Sequence, residues 1–247
     1  MRAPFKTIKV SNVILLLALS EEIRALEESI RETLKEAAGS VDWDVFRNQL
    51  GEFSERSAQT VRSLRNIRTI SDADAEETHQ FFFSTLPQVS RKIKSILNNN
   101  GQKKYIPAFQ ALGDNIRRSG CAVSNANNPE NLLVLPENIA HIIKLARLRN
   151  RAFSERRNYF VIDALRHPFE IRYLRERIQP FYLMAITTDD SHRKSRLHEL
   201  NYRNDEIQSL DYKKYASEAS DGRKFTGYSK FVSLDIQACL ALADVLR

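Results

Sequence analysis

Residues 159–200 read YFVIDALRHPFEIRYLRERIQPFYLMAITTDDSHRKSRLHEL, two short apolar runs separated by one amphipathic segment. The first run, residues 159–162, is made of the β-branched and aromatic side chains that suit a buried strand, and it stops on Asp163. Pro168 then stands where a helix can begin, and Ile171, Leu174 and Ile178 share one helical face. Gln179 and Pro180 end that helix. Residues 181–186 form the second apolar run, followed by Thr187, Thr188, Asp189 and Asp190, after which Ser191 is placed to cap a helix bearing Arg193 and Arg196. The order predicted is strand, helix, strand, helix, which implies a parallel pair. In parallel α/β sheets ligands bind at the carboxyl ends of the strands, here Asp163 and Thr187, with Arg166, Arg193 and Arg196 just beyond. An acid, hydroxyls and guanidinium groups gathered there suit a magnesium-bound phosphate. The same residues are equally compatible with a strand-ending acid and solvated helix faces.

A chain of 247 residues can bury the core of one large domain or two small ones. Its 42% hydrophobic and 28% charged content, with few glycines and prolines, fits a helix-rich globular protein. The longest apolar stretch, residues 13–19, is too short to span a bilayer, and residues 1–9 offer no signal-cleavage pattern, so no membrane association and a cytoplasmic location are expected. Cys121 and Cys239 have no metal-ligand spacing, which fits a reducing compartment and argues against structural zinc. The net charge of +7 favours anionic partners. Much of it is local: residues 142–177 hold ten Lys or Arg against four acids. Nucleic acid and nucleotide phosphate are both compatible with that balance, as is a solvated helical surface.

Along the chain, residues 6–10 read as a short strand, followed by a helix capped by Ser11 and running on through Ile23, Leu26, Ile30 and Leu34 to Gly39. Shorter helices are expected around Trp43, Phe46 and Leu50, over residues 57–67 with Arg62, Arg65 and nearby Arg68, and from Ser71 through Phe81, Phe82 and Phe83. Adjacent phenylalanines on a helix point in different directions and fit a core better than a base-stacking platform. Residues 98–101, Asn-Asn-Asn-Gly, form the clearest break in the first half. Helices are expected next over residues 105–119, closed by Gly120, and over residues 136–151 with Ile139, Ile142, Ile143 and Leu148 inward. Residues 201–230 read as a surface segment or lid, and an apolar helical face returns through Leu234, Cys239 and Leu242. There is no internal repeat.

Three patterns, IKVSNVI at residues 8–14, ALGDNIRRSG at residues 111–120 and VIDALRHPFEIRYLR at residues 161–175, together resemble the N-terminal, P-loop-kinase-like domain of the deoxycytidylate deaminase family of anti-phage proteins, itself akin to deoxynucleoside monophosphate kinases. FYLMAI and SHRKSRL continue the third pattern, and Gln237, Cys239, Ala243 and Asp244 look like the helix leading to a deaminase domain. The resemblance implies an α/β fold in which a parallel, P-loop-kinase-like sheet is flanked by helices, as a single domain over residues 1–247. Residues 39–104 would be a helical insertion and residues 201–247 a lid and linker. It also implies that Asp163 is the magnesium-proximal acid, that Arg117 and Arg166 contact nucleotide phosphate, and that Arg193 and Arg196 belong to a lid. The expected ligand is a deoxynucleotide with Mg²⁺, and the expected macromolecular partner a deaminase domain or subunit.

Two motifs of that family are missing. A glycine-rich GxxxxGK[ST] loop holds phosphates through its backbone N–H groups and lysine, and none of the seven glycines here is followed by Lys-Ser or Lys-Thr. A zinc deaminase needs HxE and PCxxC segments, which this sequence lacks. The expectation is a kinase-like domain without its central phosphate-loop strand, as in a fragment or shortened homologue, binding nucleotides or regulating a partner and catalytically incomplete alone. The alternatives are a basic helical protein that binds nucleic acid through Arg62, Arg65, Arg68 and the 142–177 cluster, a scaffold for a deaminase subunit, and a deoxynucleoside monophosphate kinase-like phosphotransferase.

Overall fold

The run VSNVILLLAL has no polar face, and a helix that is apolar all round is stable only when surrounded. In the computed structural model these residues form α1 (Val10–Leu19), with Val13, Leu15, Leu16, Ala18 and Leu19 wholly buried. The structure describes residues 5–99, 103–152, 159–200, 202–204, 207–208, 228 and 232–246. Helix makes up 69% of the described residues, which also form two small parallel sheets, so the chain belongs to a helix-rich α/β class. It divides into two compact units, residues 1–164 and 165–247.

In the first unit α1 is packed by α4 (Ser54–Arg65), α6 (Leu86–Leu97), α7 (Tyr105–Ser119) and α8 (Val134–Ala152). The helix expected to run from Ser11 to Gly39 is two helices, α1 and α2 (Ile23–Leu34). The Ser20 hydroxyl donates to the Leu17 carbonyl at 2.7 Å and takes an acceptor at the end of α1, which suits the chain to leave the helix. The change of environment agrees: α1 is central, whereas α2 buries only Leu26, Glu27, Ile30 and Leu34. Lys9, not Ser11, occupies the start of α1, because the strand before it runs into the helix with no intervening loop.

α3 (Trp43–Gly51) is capped by Asp42, whose carboxylate accepts from Val45 N at 2.9 Å. Glu27, on the buried side of α2, accepts from Arg31 at 2.7 Å and from Arg47 of α3 at 2.6 Å. Burial would push Glu27 up, but the hydrogen bonds from Arg47 and Arg31 outweigh it and hold the carboxyl below its ordinary range. Ser71 caps α5 (Asp72–Gln80) as the sequence leads one to expect, accepting from Asp74 N at 3.1 Å. One wide turn, Phe81–Thr85, then joins α5 to α6. Phe81 and Phe82 are in the core, while Phe83 is half-buried with its ring 4.7 Å from that of His79. Lys104 is buried with its ammonium unpaired, and burial pushes it below the ordinary lysine range.

α7 ends at Gly120, whose φ of +83° is left-handed. A Cβ there would meet the Asn131 side chain at 2.7 Å, and Asn131 cannot retreat without losing the 2.7 Å hydrogen bond it donates to the Ser119 carbonyl. Strain and clash add, so Gly120→Ala is expected to cost about 1–3 kcal/mol. Urea unfolding would show it as a lowered midpoint at unchanged slope; an unshifted midpoint would contradict this account.

β1 (Lys6–Lys9) pairs in parallel with β2 (Phe160–Asp163), Lys9 opposite Asp163, across a connection that contains α1 to α8. The pairing expected between β2 and the second apolar run is absent: that run contributes only β3 (Met184–Ala185), which pairs in parallel with β4 (Val245–Leu246). Nor are these strands buried on both faces. Val161, Tyr182, Met184 and Ile186 are exposed. Four-residue and two-residue strands with open faces cannot form the continuous interior sheet that a buried parallel strand requires.

In the second unit α9 (Pro168–Arg177) buries Ile171 and Leu174 and packs on α11 (Ile236–Ala241). Asp244 accepts from Leu183 N and from Arg175 Nη2, each at 2.7 Å, and Arg175 also donates to the Leu242 carbonyl at 2.9 Å. Those bonds tie the end of α9 to the start of β3 and β4. They hold the Asp244 carboxyl below its ordinary range, the Leu183 amide first and then Arg175. α10 (Asp190–Glu199) has no buried residue and follows Asp189 rather than Ser191. Most of residues 201–230, expected to form a lid, lie outside the described residues.

Candidate functional site

The residues singled out from sequence fall in both units. Asp163 and Arg117 belong to the first. Asp163 is exposed at the tip of β2, and Ala164 beside it has a φ of +74°, an uncommon backbone state for a residue with a Cβ. Arg117 is buried on α7 with Nη1 3.6 Å from Asp114 Oδ1, close under Gly113, where an added Cβ would lie 3.2 Å from the same nitrogen. Arg166, Arg193 and Arg196 belong to the second unit. Arg193 donates to Asp190 at 2.8 and 3.1 Å, a pair within one exposed turn, and Arg196 is exposed. The Arg166 carbonyl accepts from Asp235 N at 3.2 Å, which fixes the loop before α9.

A different set of residues lines the groove of about 500 Å³ in the first unit. One wall is α5, through Asp72, Ala75 and Glu76 at positions i, i+3 and i+4 of one helical face. The opposite wall is α8, through Lys144, Leu148 and Arg149, and the connection after α4 supplies Ile67, Arg68 and Ile70. Ile67 and Ala75 are buried and, with Ile70 and Leu148, give the groove an apolar lining. The size is ordinary for a small-molecule site, and so is the mixture of apolar surface with a few polar groups.

The cations differ in how they are held. Arg149 is gripped from across the groove by Glu76, with Nε 2.5 Å from Oε2 and Nη2 3.1 Å from Oε1. This bidentate pair, and burial to a lesser extent in the opposite sense, leaves the Glu76 carboxyl below its ordinary range. Both partners are partly exposed, so solvent screening keeps the pair's own contribution to stability near or below about 1 kcal/mol. Among the described residues, Arg68 and Lys144 have no carboxylate within ion-pairing distance. Arg68 is exposed and Lys144 half-buried, and both line the groove.

One turn along α5 from Glu76, His79 is buried beside Lys6, whose ammonium lies 3.4 Å from Nε2. The lysine donates, so the imidazole must accept through an unprotonated Nε2. Burial, then the charges of Lys6 and Arg149, push the His79 pKa from 6.5 to about 4, with Glu76 opposing. His79 is therefore neutral at physiological pH, and the local charge is set by Lys6, Glu76 and Arg149.

Reasoning from sequence had counted Lys144 and Arg149 in a basic cluster and Arg68 on a basic helix, but had no reason to bring them together. It missed Asp72 and Glu76. Their i, i+4 spacing after the Ser71 cap was the available signal, and it marks a helix face without saying what lies opposite.

Among the described residues, no group of three or more His, Cys, Asp or Glu is placed to hold a metal ion, and no helix is long and apolar enough to cross a membrane. Both cysteines are free thiols. No family model, curated protein or solved structure matches the chain.

Proposed function

We propose that the first unit is a helical module that binds a nucleotide in the groove between α5 and α8, with a regulatory rather than a phosphoryl-transfer role. The observation behind this reading is the pair of cations without carboxylate partners, Arg68 and Lys144, beside an apolar lining of Ile67, Ile70 and Leu148. A phosphate meets the cations and the flat base covers the apolar surface, so one ligand satisfies both halves of the groove. Transfer chemistry has less support, since the sequence lacks the glycine-rich loop that holds β and γ phosphates in such enzymes.

Calorimetric titration with deoxynucleoside mono- and triphosphates, with and without magnesium, tests the reading. Arg68→Ala and Lys144→Ala are each expected to weaken binding by about 3- to 10-fold, the range for a partly screened charged hydrogen bond. Absence of binding, or binding indifferent to both substitutions, would refute it. The strand tip is a separate arm: if Asp163→Ala abolishes binding while the groove variants retain it, the ligand sits at the end of β2 instead.

Nucleic acid is the second reading, favoured by Arg62 and Arg65, which extend the exposed basic surface from Arg68 along α4. It expects single-stranded or duplex DNA to be shifted in gels with steep loss at higher salt, and no preference for free nucleotides.

A further inference from the structure

The groove holds charge of both signs that the protein does not pair off. Arg68 and Lys144 line it with no carboxylate within ion-pairing distance among the described residues, and Asp72 lines it with no cation within that distance. Asp72 is the first residue of α5, and Ala75 and Glu76, three and four positions on, share its face and the same groove wall. Any acid in a first turn favours the helix dipole, but the two here are held differently. Asp74 accepts from the Ser71 hydroxyl at 2.7 Å, whereas the Asp72 carboxylate is exposed and accepts no hydrogen bond from a described residue. Glu76 is engaged with Arg149, which leaves Asp72 as the uncommitted acid of the wall.

A carboxylate repels an incoming phosphate, so a nucleotide gains from Asp72 only through hydrogen-bond donors carried away from its anionic end. The bases differ in what they present there. Guanine sets N1–H beside its C2 amino group, two parallel donors that match the two oxygens of a carboxylate. Adenine and cytosine set a single amino group beside a ring-nitrogen acceptor, and thymine has one N–H between two carbonyls, so each of these turns a lone pair toward an acid. Resting on the nucleotide reading above, we infer that Asp72 is the base-reading residue of the groove and makes it selective for guanine nucleotides. The phosphate pairs with Arg68 and Lys144, the ring plane covers Ile67, Ile70 and Leu148, and the Watson–Crick edge of guanine donates two hydrogen bonds to Asp72.

The test is calorimetric titration of the full chain and of Asp72→Asn with dGMP, dIMP, dXMP, dAMP and dTMP. Hypoxanthine keeps N1–H and lacks the C2 amino group, so dIMP isolates one of the two bonds. The unaltered chain is expected to bind dGMP about 10-fold more tightly than dAMP or dTMP, with dIMP between, a modest ratio because Asp72 is exposed to solvent. In Asp72→Asn the amide still accepts from N1–H but turns a donor toward position C2, where guanine has an amino group and xanthine a carbonyl. The dGMP preference should therefore vanish in this variant and dXMP should overtake dGMP. A uniform gain for all five nucleotides would mean that Asp72 merely repels phosphate, and a dGMP preference that survives Asp72→Asn would put the base reader elsewhere; either result overturns the inference. If the five bind alike and lose affinity in Arg68→Ala and Lys144→Ala, the inference fails and the nucleotide reading stands. Absence of binding by both the unaltered chain and Asp72→Asn overturns both. Urea midpoints of the variants establish that each is folded.

Discussion

Phe81→Ala is expected to destabilise the protein by about 3–5 kcal/mol, the range for deleting a wholly buried aromatic ring. Phe81 is 0% exposed and sits at the first position of the wide turn between α5 and α6. The Arg56 guanidinium lies 5.0 Å from its ring centre, and Arg56 Nε is buried without a hydrogen-bond partner. Removing the ring leaves a cavity and takes the cation–π contact from Arg56, whose Nε keeps the Glu77 carboxylate 3.6 Å away, so the loss includes more than transfer of the side chain. Phe83 is the internal comparison: it is half-buried and touches mainly the rings and charges near His79, so Phe83→Ala should cost distinctly less. Equilibrium urea unfolding of both variants decides the matter. A loss below about 1 kcal/mol for Phe81→Ala, or the reverse order of the two, would show that the triplet is not organised around Phe81.

Stability is expected to fall by up to about 3 kcal/mol between near-neutral and mildly acidic pH because of His79. In the unfolded chain its imidazole takes up a proton near 6.5, but in the folded protein not until about 4, since burial and then Lys6 and Arg149 oppose the charge. Between those values the unfolded state binds more protons. The folded state accordingly loses ground as pH drops through 6.5, and the loss levels off below 4. His141 is lowered by burial too and adds in the same direction. The depressed carboxyls of Glu27 and Glu76 act further down, below their ordinary value of 4.5, so measurements at about pH 7 and about pH 5 mainly report the histidines. His79→Gln should flatten the dependence in this window. If the unaltered protein and the variant lose stability in parallel, His79 is protonated in the folded state and its pairing with Lys6 is misassigned.

These two residues also mark how far the sequence could be read. Phe81 and Phe82 were assignable to the core because adjacent rings on a helix favour packing over display, and the structure buries both. His79 looked like one of five scattered histidines. Its neighbour Lys6 is 73 positions away, and nothing local connects them. The same division holds for the strands. Residues 160–163 and the helix from Pro168 stand where the pattern of apolar residues, proline and acid put them. The partner of that strand did not, because a parallel pair is closed by a connection whose length leaves no mark on the strand itself.

What the sequence alone determined is local. The wholly apolar run that became α1, the Ser71 cap, the αL glycine ending α7, the inward face of α7 and that of α8 except for Leu148, which lines the groove, follow from propensity, capping and periodicity within a few turns of chain. The tertiary structure decided which segments meet: β1 with β2, β3 with β4, and Arg68, Glu76, Lys144 and Arg149 around one groove. The physical reason is that a charged side chain on a solvated helix face contributes the same pattern to the sequence whether it faces water or another helix. Only the packing of α5 against α8, driven by their apolar faces, brings the separate charges around one groove.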